Sequence, residues 1–205
     1  DNKFLKGNTL FVLGIVTGDN KKYLLPKKLS KEYEPIVVGK DLQKFKIDAP
    51  SNYFIYNKKT LQQIAPRDYY ESPEKLIYKF IGKNLAFAYD NQKRFSLNNA
   101  NAIVPDIPSL NIRYILGILN SDLIQFYYSK SFFTVRVLRS NLERLPILNA
   151  LKSQQNKVVD LVEEIEKSNE NAYNQALEKL NDFIFDLYKI DQEQKNYIKK
   201  VLAEL

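Results

Sequence analysis

The segment "SLNIRYILGILNSDLIQFYYSK", residues 109–130, separates two kinds of sequence pattern. Asn120 and Ser121 lie near its middle and predict the cap of a second short helix, because such side chains accept hydrogen bonds from first-turn amides. Before them, apolar residues recur at the spacing of a first helix: Ile112, Ile115, Leu116 and Leu119. Upstream of this segment strand patterns prevail, and downstream of it long helical patterns prevail.

Short apolar or alternating runs upstream predict strands joined by polar turns. Residues 72–82 could form either a helix or a strand. Ser72 is a suitable helix cap, whereas in "KLIYKFI" apolar and polar residues alternate as they do in a strand. Residues 98–102 are predicted to be a loop, and residues 131–138 to be a strand or extended. The remaining predicted strands are 8–16, 21–26, 36–38, 52–57 and two within 84–104 around a polar turn at 90–93.

The tail after Pro146 predicts three amphipathic helices, with Asp191 and Gln194 as a capping pair for the last. The fold class expected is therefore α+β (mixed α/β). The predicted domains are an α/β domain at 1–148 and a helical C-terminal region at 149–205, arranged as a bundle or hairpin.

Composition limits the chemistry. The 205 residues include no cysteine and no histidine, so neither a disulfide, a Cys-based zinc site nor a histidine base is available. No apolar run approaches the ~20 residues of a membrane span, and no signal-peptide pattern opens the chain. We expect a cytoplasmic protein. Because the chain starts at Asp1 and has no methionine, we also expect it to be part of a longer polypeptide.

Charge is unevenly distributed along the chain. The net charge is +7, yet residues 151–205 hold eight lysines and eleven acids, and residues 1–150 hold 23 basic and 13 acidic groups, including all six arginines. This asymmetry favours an anionic partner for the first part and a different role for the tail. The alternative is a generally Lys-rich protein from an A/T-rich genome.

Catalytic motifs are missing. "GIVTGDNKK" (14–22) lacks the Lys-Ser/Thr that a phosphate-binding P-loop needs after its second glycine. No Rossmann glycine motif and no Asn/Asp-Pro-Pro-aromatic tetrapeptide of amino-methyltransferases is found. A metal nuclease would need converging carboxylates and a lysine, and Pro105-Asp106 has a downstream Glu-x-Lys only in the acidic tail. We expect no catalytic residue and no metal site.

The basic residues of the first part, together with polar residues in its predicted loops, suit contact with a nucleic acid. Lysine and arginine contact phosphates, and arginine can also read guanine edges. Asp19, Asn20, Asn91 and Gln92 lie beside such cations and carry groups that read adenine or cytosine. The predicted basic contacts are Lys21, Lys22, Lys40, Lys79, Lys83, Lys93, Arg94, Arg113, Arg136 and Arg139.

An ordered series of short motifs resembles a known family. The motifs are "GIVTGDNKKYL", "PIVVGKDLQKFKI", "NYFIY", "SPEKLIYKFIGKNLAFAYD", "YILGILNSDLIQFYY", "LERLPI" and "LNDFIFDLYKID". Over roughly residues 10–190, they resemble the TaqI-like C-terminal specificity domain of type IIG restriction–modification enzymes and related adenine-N6 DNA methyltransferases.

The resemblance implies a non-catalytic target-recognition domain, similar to those of type I specificity subunits and followed by helices. Its implied partners are double-stranded DNA and the methyltransferase or nuclease domain of the same polypeptide, which would use S-adenosylmethionine and Mg. By position, Thr17, Gly18, Asp19 and Asn20 fall in the family's early recognition loop. The family often has Arg in place of Lys79. Other motif matches are Lys40 and Asp41 in "GKD" and, in packing and capping roles, Gly117, Asn120 and Ser121.

Three alternatives stay open. The helical tail could be the active element of a protein–protein assembly module. Asp106 could belong to a cryptic metal-dependent nuclease. The stretch at 14–24 could be a plain hairpin turn, since glycines at 14 and 18 suit a turn without any ligand.

Overall fold

The computed structural model describes residues 1–205 and contains both strands and helices, as the α+β prediction requires. The strands are β1 (Asn2–Lys3), β2 (Thr9–Val12), β3 (Tyr33–Val37), β4 (Leu42–Gln43), β5 (Lys46–Ile47), β6 (Asn52–Ile55), β7 (Lys75–Lys79), β8 (Phe87–Asp90), β9 (Phe95–Ser96), β10 (Ala100–Pro105) and β11 (Ile147–Leu148). The helices are α1 (Asn20–Tyr23), α2 (Arg67–Tyr70), α3 (Ile112–Asn120), α4 (Asp122–Ser131), α5 (Arg139–Leu142), α6 (Lys152–Lys167), α7 (Glu170–Leu187) and α8 (Gln192–Ala203).

The chain forms two compact units. The strand unit comprises residues 9–81 and 86–105, and the helical unit comprises residues 1–8, 82–85 and 106–205. The two units do not meet at residue 148, where the sequence suggested a domain boundary. The reason is that α3 and α4 pack against the C-terminal helices and so belong to the helical unit.

The strand unit contains a four-stranded antiparallel sheet in the order β2-β10-β7-β8. A second sheet has the order β6-β3-β9, in which β3 and β9 run parallel, and β4 with β5 forms a small hairpin. Apolar side chains from both larger sheets form one buried core, in which Phe54 packs edge-on against Phe95.

Several predicted strands are confirmed, including those within 8–16 and 52–57 and the buried run ending at Val38. Residues 72–82, which fitted either structure, contain β7. The structural reason is pairing on both sides: β7 is hydrogen-bonded to β10 and to β8, so its backbone groups are satisfied in an extended conformation.

Two local predictions are wrong. Residues 21–26 do not form a strand, because Asp19 caps a single helical turn at Asn20–Tyr23, and only an isolated bridge at Leu25 follows. Residues 98–102 are not all loop, since β10 begins at Ala100 and pairs with β2 and β7. The segment 84–104 accordingly holds three strands rather than two.

The helical unit confirms the predicted helices. Ser121 connects α3 to α4: its hydroxyl donates to Ile118 O at 2.8 Å and accepts from Ile124 N at 3.3 Å. Asp191 and Gln194 form the expected capping box of α8. None of the helices is both long and apolar enough to cross a membrane.

α6 and α7 bury much of the apolar faces that their sequences predict, whereas on α8 only Ile198 is buried. α6 and α7 are joined by two residues and pack against each other, with Val158, Val162 and Ile165 buried on α6. α8 packs against α4, where Tyr197 meets Phe126 edge-on at 5.9 Å.

Candidate nucleic-acid interface

A polar groove of about 510 Å³ lies on the strand unit between the loop at 17–23 and the turn at 59–62. The backbones of Val16 and Gln63 hydrogen-bond in both directions, at 2.9 and 3.0 Å, and so hold the two sides of the groove together. The residues lining it are Thr17, Gly18, Asp19, Lys22, Tyr23, Lys59, Thr60, Leu61 and Gln62.

Local sequence explains the shape of the first side. Gly18 has φ +82°, a left-handed conformation that suits glycine. The next residue, Asp19, accepts a hydrogen bond from Lys22 N at 3.2 Å and thereby starts α1. Thr17 is only 2% exposed, and its hydroxyl donates to Asn20 Oδ1 at 2.5 Å. Thr17 therefore shapes the loop and does not present its side chain to solvent.

The groove is bordered by cations. Lys22 Nζ lies 5.0 Å from the centroid of the Tyr23 ring, and Lys59 is exposed on the opposite side. Lys21 is exposed in the same helical turn as Lys22. The strand unit as a whole has 15 basic and 9 acidic residues, a net charge of +6. Exposed cations beside polar side chains suit a nucleic acid, which carries anionic phosphates and polar base edges.

A second basic site, the turn between β8 and β9, is organised by Asp90. This buried carboxylate accepts from Lys75 Nζ at 2.5 Å and from Arg94 Nη1 at 2.8 Å. Burial lowers the pKa of Lys75, and the carboxylate of Asp90 opposes that shift. Arg94 also donates to Gln92 Oε1, so its guanidinium is part of the turn's own structure. Lys93 is exposed with φ +55° at the tip.

Lys40 and Lys79 lie elsewhere on the strand unit. Lys40 is exposed on a 3₁₀ turn at Gly39–Asp41. Its neighbour Asp41 is buried and accepts from Val38 N and Ser51 Oγ, which fixes the backbone that presents Lys40. Lys79 is half-buried at the end of β7.

The helical unit carries the remaining predicted cations. Arg136 is exposed, and Arg139 is 65% exposed while its Nε donates to Glu143 at 2.8 Å. Arg113 instead pairs with Glu166 at 3.2 Å. Burial raises the pKa of Glu166, and Arg113 acts against that shift.

The groove thus brings together Asp19 and Lys22 with two residues that the sequence motifs do not single out, Lys59 and Gln62. In the sequence, Lys59 and Gln62 lie in the polar run "NKKTLQQ" (57–63), which directly follows a predicted strand and could have indicated a second polar loop. Only the pairing of Val16 with Gln63 connects that run to the early loop, and this contact joins residues 47 positions apart.

The carboxylates form no cluster of three or more that could hold a metal ion. Asp106, the residue named for the nuclease alternative, is exposed, and its amide donates to Asn8 O at 2.8 Å.

Solved structures share the fold of this chain. The Type IIL restriction–modification enzyme MmeI, solved in complex with DNA, matches with a TM-score of 0.66 and 11% identity, over 92% of this chain and 34% of that chain. The HsdS subunit from Thermoanaerobacter tengcongensis matches with a TM-score of 0.52 and 14% identity, over 100% of this chain and 44% of that one. The type IIG restriction endonuclease BpuSI matches with a TM-score of 0.52 and 13% identity, over 90% and 31%.

This chain therefore spans less than half the length of these three proteins. No curated protein sequence matches it. A family model does: the TaqI-like C-terminal specificity domain matches residues 34–147, which is more than half of the chain and confirms the resemblance in the sequence motifs. The chain belongs to the family of TaqI-like C-terminal specificity domains.

Proposed function

We propose that this chain is the DNA target-recognition domain of a restriction–modification enzyme or DNA adenine methyltransferase, and that it is itself non-catalytic. The observation that carries the proposal is the match of residues 34–147 to a specificity domain. The groove adds a physical basis, since it places cations beside polar side chains on a unit of net charge +6.

The predicted contacts divide by what their side chains can do. Asp19 and Gln62 offer groups that read base edges, while Lys22 and Lys59 are suited to phosphates. Thr17 supports its loop from within, because it is buried. Arg94 supports the turn between β8 and β9, because its guanidinium donates to both Asp90 and Gln92. The other predicted residues stay proposed DNA contacts of their own units. They are Asn20, Lys21, Lys40, Lys79 and Lys93 on the strand unit and Arg136 and Arg139 on the helical unit.

The chemistry belongs to other domains in this proposal. A methyltransferase domain of the same polypeptide would bind S-adenosylmethionine, and a nuclease would use Mg²⁺. The specificity domain would select the site and hold the duplex while the target adenine is turned out of the helix. Such a protein acts on DNA in the cytoplasm.

A salt titration of duplex DNA binding tests the proposal. Binding that depends on phosphate contacts weakens steeply with salt, and the slope of log K against log salt falls by about 0.9 for each contact removed. We expect Lys22→Ala with Lys59→Ala to weaken binding of a fluorescent duplex and to flatten that slope by roughly 2.

The matched control is Lys152→Ala with Lys200→Ala, which removes the same charge from exposed positions on α6 and α8. It should leave the slope nearly unchanged. Equal effects of the two pairs would indicate that only total charge matters. An unaltered slope for the groove pair would remove the groove from the DNA interface, and a protein that binds no duplex would favour an assembly role for the helical tail.

A further inference from the structure

Phe133 is the most exposed large apolar side chain of the protein, with 92% of its surface accessible. It lies in the segment between α4 and α5, where Val135 is also 59% exposed. Because burial of a phenylalanine ring is favourable and this ring is almost fully exposed, nearly all of its contact surface is available to a partner.

The backbone around Phe133 is held in place. On one side Phe132 is buried, with its ring 5.1 Å from that of Tyr128 and the Arg144 guanidinium 5.2 Å away. On the other side Val137 is buried. Between them, Val135 O accepts from Gly82 N at 2.9 Å. The ring is therefore presented from an anchored segment, and binding through it requires little further ordering.

The segment that carries the ring is rich in cations and so suits a polyanion. Residues 130–144 contain four cations, Lys130, Arg136, Arg139 and Arg144, and a single acid, Glu143. That acid is largely buried and already receives the Nε of Arg139. An apolar docking site for another protein does not require such a cationic surround. An exposed flat ring on a cationic segment fits nucleic acid, in which bases stack and phosphates flank them.

We propose that Phe133 is an apolar wedge that inserts at a base step of the bound duplex and partly unstacks it, with Arg136 and Arg139 on the flanking phosphates. This rests on the proposed DNA-binding function and adds a contact that does not read sequence through hydrogen bonds. Wedge side chains of this kind make unstacked or bent DNA easier to hold.

The test uses the protein that carries this chain and a duplex selected by it from a random-sequence library. The adenine analogue 2-aminopurine, which fluoresces more strongly when unstacked, replaces one base at a time. With the unaltered protein, we expect a fluorescence rise at a step next to the flanking phosphate contacts. Phe133→Ala should abolish that rise and weaken binding roughly 5- to 150-fold, the range measured for loss of base–aromatic stacking.

Three comparison variants separate the explanations. Phe133→Trp should keep the rise, because the ring is retained. Arg136→Ala should weaken binding and reduce its salt dependence while the rise persists. Leu151→Ala removes another side chain that is 71% exposed and should change neither measurement.

The wedge proposal is overturned if Phe133→Ala binds the duplex with unchanged affinity and an unchanged fluorescence rise while Lys22→Ala with Lys59→Ala still weakens binding. The DNA-binding function would then stand without the wedge. It is also overturned if Phe133→Ala leaves DNA binding intact but loosens the contact with a catalytic domain. If the unaltered protein selects no duplex, the proposed function fails first.

Discussion

Tyr188 ties the end of α7 to the segment that follows α5. Its hydroxyl donates to Pro146 O at 3.0 Å and accepts from Leu148 N at 2.9 Å, while Tyr114 donates to Leu148 O at 2.8 Å. Two of the family motifs, "LPI" at 145–147 and "LY" at 187–188, therefore form one hydrogen-bonded contact. Their joint presence in the sequence has a structural reason.

Replacing this tyrosine should destabilise the helical unit. Tyr188→Phe keeps the ring but leaves Pro146 O and Leu148 N without their hydroxyl partner, which costs about 1–3 kcal/mol when such groups are shielded from water. Urea unfolding followed by circular dichroism measures the change. Tyr197→Phe is the control, because that hydroxyl belongs to a side chain that is 57% exposed. A similar loss for both variants would contradict the role assigned to Tyr188.

At the scale of elements, the packing of α3 against α6 depends on Gly117. A Cβ atom added at this position would lie 2.6 Å from Val158 Cγ1 and 3.1 Å from Val162 Cγ2. The absence of a side chain thus permits the close approach of the two helices. This confirms the prediction that the motif "LGILNS" (116–121) serves in packing and capping. Gly117 provides the packing, and Ser121 caps α4.

Gly117→Ala should therefore lower stability although alanine is the better helix former. Overpacking of a filled core costs about 1–3 kcal/mol, and the Cβ here meets the side chain of a buried residue. Val158→Ala in the same chain should recover part of that loss, because it removes the atom that clashes. Additive losses in the double-mutant cycle of urea midpoints would show that the two residues do not interact as described.

One strand, β10, shows where the local sequence pattern did not predict the secondary structure. The polar run at 98–102 indicated a loop, yet Asn101 lies buried within β10, and its Oδ1 accepts from Gly14 N at 2.8 Å. Gly14 in turn is required by close approach, since a Cβ there would lie 2.1 Å from Leu97 O. Both facts depend on contacts with residues more than 80 positions away in sequence, which no periodicity reports.

At the scale of the whole molecule, burial of phenol groups governs the response to alkaline pH. Burial raises the pKa of six tyrosines above the ordinary value of 10.0, and it raises the pKa of Tyr188 to about 12. These six residues are Tyr56, Tyr70, Tyr114, Tyr128, Tyr173 and Tyr188.

Stability should therefore fall between pH 10 and about pH 12. In this interval unfolded tyrosines have lost their protons while the folded ones retain them, so the unfolded state binds fewer protons and rising pH favours it. Below pH 10 the tyrosines keep their protons in both the folded and the unfolded protein, so they do not make stability depend on pH. The lowered pKa of Lys75 acts in the opposite direction, but only up to about pH 10.5, because above its ordinary value the unfolded lysine has lost its proton too.

Urea midpoints measured at increasing pH, together with the ultraviolet absorbance of phenolate, test this expectation. The midpoint should decline as the absorbance of the buried tyrosines rises, and in Tyr188→Phe the decline should be smaller. A midpoint that stays constant across the interval would contradict it.

The sequence by itself determined the mixture of strands followed by helices, the caps at Ser121 and Asp191, and the family. These depend on neighbours within a few residues or on motifs in order, which a sequence displays directly. Only the tertiary structure decided that Thr17 is buried, that Arg94 is bonded to Asp90, that Lys59 joins Lys22 at one groove, and that Phe133 stays exposed. The physical reason is that the exposure of a side chain and its neighbours in space follow from backbone pairing and packing between distant residues. The identity of a lysine or phenylalanine in the sequence does not report either of them.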